Sequence, residues 1–94
     1  MPVRIIVEDP GKHFDKDKTV VELVVGDNVI CRLNFGEIAE FEAPAKPSRT
    51  YLKVRSGSSI RRSNIVRLGP ANEYTVHLVA RYNRFWRSFR LLLG

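Results

Sequence analysis

A cysteine nucleophile needs an imidazole within hydrogen-bond reach and a third group to orient that base. Cys31 and His77 are the Cys–His pair set in strand-like sequence. The alternation around Cys31 puts it on an apolar face, and His77 falls on the polar face of its own segment. That pattern describes a buried thiol and a surface imidazole, not a dyad. A metal site needs clustered Cys, His or carboxylate ligands. His13, Asp15 and Asp17 share one loop, with Glu8 and Asp9 close by in sequence. Calcium would ask for more oxygen ligands and a glycine-shaped loop, and Lys12, Lys16 and Lys18 oppose a cation there. The loop reads as solvated and charged. Glu40 and Glu42 sit two residues apart on the outer side of a short strand. A hairpin around residues 44–47 would set them beside Arg49, Tyr51 and Lys53, where opposite charges pair across strands. Gly57 lies isolated between serines with no helix after it, so it does not form a phosphate-binding loop. The expectation is a non-enzymatic domain with no catalytic residue, no metal ligand set and no cofactor.

The arginines have a clearer use. Residues 1–43 carry nine acidic and five basic side chains, whereas residues 44–94 carry eleven basic and one acidic, Glu73. From Arg55 onward every cation is an arginine. Arg61 and Arg62 follow a Ser/Gly break, and Arg81, Arg84, Arg87 and Arg90 interleave with Tyr82, Phe85, Trp86 and Phe89. Guanidinium groups grip phosphates bidentately, and aromatic faces stack on bases. The candidate partner-binding or polyanion-binding set is therefore Arg61, Arg62, Arg81, Arg84, Trp86, Arg87 and Arg90. The ordinary alternative places the aromatics in the core and the arginines on a solvated strand face, with part of the charge matched by the acidic first half.

These residues have to be held by strands, because period-two alternation dominates the chain. Val3, Ile5 and Val7 alternate with Arg4, Ile6 and Glu8. Val21, Leu23 and Val25 share a face, and Gly26-Asp27-Asn28 turns the chain into Val29, Cys31, Leu33 and Phe35. A short strand follows over 37–42, with Ala39 and Phe41 inward. Pro44 and Pro47 make the next stretch a loop. Residues 49–55 put Leu52 and Val54 in and Tyr51, Lys53 and Arg55 out. Residues 56–59 read as a flexible break, residues 65–68 as a brief apolar strand, and Tyr74, Val76, Leu78 and Ala80 as one face of a long one. The tail over 83–93 fits two patterns: a strand with Phe85, Phe89, Leu91 and Leu93 on one side, or a basic amphipathic helix with Phe85, Trp86, Phe89, Leu92 and Leu93 as its stripe. Seven or eight short strands at even spacing predict an all-β single domain over residues 1–94, a sandwich or small barrel.

Two local patterns carry a family resemblance. Residues 21–30, followed by Leu33-Asn34-Phe35-Gly36-Glu37 and later Tyr51-Leu52-Lys53-Val54, resemble PEGA-type small β-sandwich domains, with Gly26-Asp27-Asn28 at their turn and Pro44-Ala45-Lys46-Pro47 replacing a Pro-Gly turn. Leu68, Pro70, Tyr74, Val76, Leu78 and Ala80 resemble the strand E–F corner of fibronectin type III domains, where a tyrosine hydroxyl clamps the corner; the early-strand tryptophan of that family is missing. Both resemblances imply an immunoglobulin-like sandwich used for scaffolding or interaction. The function they imply is protein–protein contact, including contact with another copy through an edge strand.

A single cysteine leaves no intramolecular disulfide, and the first residues hold no apolar stretch of signal-peptide length; both suit a cytoplasmic protein. Leu91-Leu92-Leu93 is far too short to span a bilayer. No small-molecule substrate is expected. The expected function is thus contact with a protein or a second copy, or, in its place, binding of nucleic acid, another polyanion or an anionic membrane surface through the basic half.

Overall fold

A computed structural model describes residues 2–11, 17–69, 76–83 and 88–93. Those residues form nine strands and no helix: β1 (Pro2–Val7), β2 (Thr19–Val25), β3 (Asn28–Leu33), β4 (Ile38–Glu42), β5 (Ser48–Ser56), β6 (Ser59–Arg62), β7 (Val66–Leu68), β8 (Val76–Asn83) and β9 (Ser88–Leu93). They make two sheets. Sheet A runs β4-β1-β8-β9, with β1 and β8 parallel. Sheet B runs β3-β2-β5-β6, and β7 pairs with β5 beyond the end of β6.

The alternating residues dictate which face of each sheet turns inward. β1 buries Val3, Ile5 and Val7, β2 buries Val21 and Leu23, β5 buries Leu52, and β8 buries Leu78 and Ala80. These side chains meet between the sheets in one cluster with Leu33, Leu68, Phe89 and Leu91. Phe89 stacks on Phe35 at 5.9 Å and tilts against Tyr82 at 5.1 Å, which fills one end of the core.

The β2–β3 hairpin forms on Gly26 and Asp27, both at positive φ (57° and 67°), the pair of dihedrals a two-residue hairpin loop requires. A bulge then displaces the alternation. Leu23 pairs with Cys31 but Val24 pairs with Val29, so Ile30 is the extra residue. Val29 thereby shares the outer face with Val24 and is exposed, rather than lining the core with Cys31.

Two further expectations change, and one alternative is decided. Residues 56–59 are a tight hairpin on Gly57, not a flexible break, so residues 59–62 add a ninth strand. Of the two patterns open to the tail, residues 88–93 take the strand, as the all-β run before them favours: Phe89 and Leu91 are buried against β8 while Arg90 is exposed. Residues 84–87 lie outside the described residues, as do Pro70 and Tyr74 of the corner pattern. Finally, the hairpin around residues 44–47 does not exist. β4 pairs with β1 in sheet A, bringing Ala39 and Phe41 opposite Ile5 and Val3, while β5 pairs with β2 in sheet B. Residues 43–47 cross between the sheets. Glu40 consequently meets Arg4, at 3.1 Å, instead of Arg49 or Lys53.

The β6–β9 side of the sandwich is sewn by two side chains. Ser63 donates its N–H to the Leu52 carbonyl (2.9 Å) and its Oγ accepts from the Leu52 N–H (2.8 Å), which bridges the gap between β6 and β7. Asn64 does the same across sheets: its amide donates to the Leu91 carbonyl (3.0 Å) and accepts from the Leu91 N–H (2.7 Å). The side chain stands in for a neighbouring strand at the edge of β9. Asn64→Ala is expected to cost about 1 kcal/mol, since water recovers part of what is lost, and Asn64→Asp about 2 kcal/mol, because a carboxylate would face the Leu91 carbonyl. Urea denaturation of the two variants beside the wild type measures both.

Candidate functional site

The outer face of sheet B is built by the residues that the inward alternation rejects. On β5 these are Arg49, Tyr51, Lys53 and Arg55. Pairing brings Glu22 and then Arg32 beside Lys53 on one side and Arg62 on the other, so one row of side chains runs Arg32, Glu22, Lys53, Arg62 across four strands. Arg67 of β7 lies directly opposite Arg49. Arg32, Arg49, Lys53, Arg55, Arg62 and Arg67 thus face solvent together, and Glu22 is the acid among the described strand residues of that face. Glu22 is engaged by Arg55 at 3.9 Å. Arg62 lies over the Tyr51 ring, 5.5 Å from its centroid, a cation–π contact.

Two of these juxtapositions oppose folding. Arg49 faces Arg67, and Lys53 faces Arg62, and like charges directly opposite in a sheet repel. Among the described residues no carboxylate lies within ion-pair distance of Arg49, Arg62 or Arg67. The face is a concentration of positive potential held on a rigid sheet.

The arginines singled out in the sequence are divided by the fold. Arg62 belongs to the sheet B face. Arg61 lies opposite Val54 on the other side of β6. Arg81 and Arg90 are cross-strand neighbours on the outer face of sheet A, and Arg81 is paired with Glu8 at 3.3 Å. Arg62 and Arg90 come together at the β6–β9 seam, where they rim a hollow of about 370 Å³ with Asn64, Asn83, Ser88 and Phe89. Arg84, Trp86 and Arg87 lie outside the described residues. The basic surface therefore runs over sheet B and reaches around the seam to Arg90. No family model, curated protein or solved structure matches the chain.

Sequence reasoning missed Arg32, Arg49, Lys53, Arg55 and Arg67. Alternation gives their outward direction, but a hairpin over residues 44–47 would use Arg49 and Lys53 as partners for Glu40 and Glu42, and the crossover removes that pairing. The match between the acidic and basic halves is partial. Arg55 finds Glu22 and Arg81 finds Glu8, while most cations of the sheet B face have no such partner among the described residues.

The remaining chemical groups stay apart. Cys31 points inward on β3 of sheet B, and burial pushes its thiol above its ordinary value. His77 is exposed on the outer face of sheet A. The sandwich lies between them. Among the described residues no three His, Cys, Asp or Glu side chains gather as a metal site would need; His13 and Asp15 lie outside those residues. Among the described residues, too, no helix is long and apolar enough to cross a membrane.

Proposed function

We propose that the protein is a non-enzymatic binding module for a polyanion, with single-stranded nucleic acid the favoured ligand, and that the outer face of sheet B is its contact surface. The observation that carries this reading is the facing of Arg49 with Arg67, which no carboxylate among the described residues relieves, and of Lys53 with Arg62, which Glu22 flanks on the Lys53 side alone. A sheet that holds like charges in register gives up stability, and a row of phosphates converts that cost into affinity through counterion release. Successive outward residues along β5 stand about 6.6 Å apart, and neighbouring strands about 4.8 Å. Charge is therefore presented as a grid rather than a single track. Tyr51 is half-buried under Arg62, and the planar guanidinium held over its ring is a surface on which a base can stack beside the phosphate contacts. The seam hollow bearing Arg62 and Arg90 extends the same surface.

The immunoglobulin-like kinship belongs to this proposal. What supports it is the two-sheet layout and the hairpin on Gly26 and Asp27. It makes the fold a scaffold and leaves the function to the faces.

Fluorescence-anisotropy titration of a labelled oligonucleotide, a duplex and heparin tests the proposal. The expected result is binding to the single strand at low salt, with log K falling against log salt at a slope of about −3, the value for four or five neutralised phosphates. No binding to any of the three at 20 mM salt would sink it, and preference for heparin would keep the face but change the ligand.

A further inference from the structure

The outer face of sheet A differs in kind from that of sheet B. Register places Ile38 beside Ile6, Ile6 beside Val79, and Val79 beside Leu92. One apolar row thus crosses all four strands, about 14 Å between the outer strand axes. Ile38 is 68% exposed. Part of the row floors a shallow hollow of about 370 Å³ rimmed by Arg4 and His77. Among the described residues the charges around the row balance: Arg4, Arg81 and Arg90 stand against Glu8, Glu40 and Glu42.

We infer that this face joins two copies of the chain, sheet to sheet. The argument for a second copy is electrostatic. The chain carries a formal charge of +6, and among the described strand residues the outer face of sheet B sets six cations against Glu22, so two copies repel wherever that face takes part. The face of sheet A is the charge-balanced one and the one with a continuous apolar row. Turning one copy over about an axis along the strands lays row on row. Ile38 then faces Leu92 of the second copy, Ile6 faces Val79, and Glu8 faces Arg81, each contact occurring twice as a two-fold interface requires.

Of the four sheet edges, β4 is five residues long and carries Glu40 and Glu42, so a second copy paired along it would bring like charges together, and the other three are blocked. Asn64 occupies the backbone of β9 at Leu91. β3 is bulged, and β6 and β7 are four and three residues long. These are the devices by which sheets avoid edge pairing. A second copy is therefore seated on the face, and the two basic surfaces point outward in opposite directions. The inference does not depend on what those surfaces bind.

The patch is at the small end of stable interfaces, about 600 Å² per partner, so the dissociation constant is expected near 10–100 μM. Sedimentation equilibrium of the full chain without nucleic acid, from about 5 to 500 μM at 0.15 M salt, reads it directly. The expected result is a monomer–dimer equilibrium in that range, weakened at least tenfold by Ile38→Glu and unchanged by Ile60→Glu, which alters an exposed aliphatic residue of sheet B. Ile38→Ser, checked for folding by circular dichroism, serves if the glutamate variant does not fold; it is expected to weaken the dimer about threefold. A chain that stays monomeric across the range overturns the inference and points to a different protein as the occupant. So does a dimer that Ile60→Glu disrupts and the Ile38 variants leave intact.

Discussion

Replacing Arg49, Arg62 and Arg67 together by glutamine is expected to lower affinity for a single-stranded oligonucleotide by about a hundredfold at 0.1 M salt and to flatten the salt dependence by about two units of slope, as each phosphate contact on a single strand contributes about 0.7. The three residues lie on β5, β6 and β7, at the places where the sheet brings like charges into register. The same variant is expected to be more stable than the wild type, by about 0.5–1 kcal/mol, because it removes the Arg49–Arg67 and Lys53–Arg62 repulsions. Loss of the cation–π contact of Arg62 with Tyr51 offsets part of the gain. The opposite signs make the experiment discriminating. Cations kept for structure would lower stability when removed; cations kept for a ligand raise it while binding falls. Anisotropy titrations at three salt concentrations and a thermal melt of the same preparation give both readings. Replacing Arg81 should do neither, since Glu8 already holds it on the other sheet.

How far the sequence discloses this surface depends on the range of the interaction concerned. Alternation is local, and it predicts the direction of Arg49, Tyr51, Lys53 and Arg55 correctly from residues 48–56 alone. It likewise predicts the buried faces of β1, β2 and β8 and the hairpin on Gly26 and Asp27. Which strands flank β5 is a long-range fact. Glu40 and Glu42 offer equally good cross-strand charge partners to Arg4 on β1 and to Arg49 and Lys53 on β5, and nothing within the loop distinguishes them. The choice is settled by the core, where Ala39 and Phe41 pack opposite Ile5 and Val3. Neither the bulge that turns Val29 outward nor the strand at residues 59–62 is visible locally. The first depends on the register with β2 and the second on the hairpin that β5 closes. For the site, Arg62 and Arg90 were legible as members of an arginine-rich stretch, whereas Arg32 and Arg67 join them only through pairing.

Gly69→Ala is expected to destabilise the fold by about 3 kcal/mol or more, through two costs that add. Gly69 sits at φ +96°, a region that side-chain-bearing residues rarely enter. A methyl group there would also stand 2.9 Å from the Lys46 carbonyl oxygen and 3.0 Å from that of Pro44. Both are backbone atoms of the crossover between β4 and β5, so relief requires the crossover itself to move. That segment is what carries the chain from sheet A to sheet B and sets Arg49 on the basic face. Gly57→Ala is the control. Gly57 has φ +60° but nothing within 4 Å of the added carbon, so only the left-handed backbone cost of about 1 kcal/mol remains. At about 4–8 °C per kcal/mol for a domain of this size, the melting temperature is expected to fall by about 12–24 °C for the first variant and about 4–8 °C for the second. Equal shifts would mean that the crossover is not packed against Gly69. A larger drop for Gly69→Ala than for Gly57→Ala, accompanied by weaker oligonucleotide binding in the fraction still folded, would tie the path of residues 43–47 to the basic face it delivers.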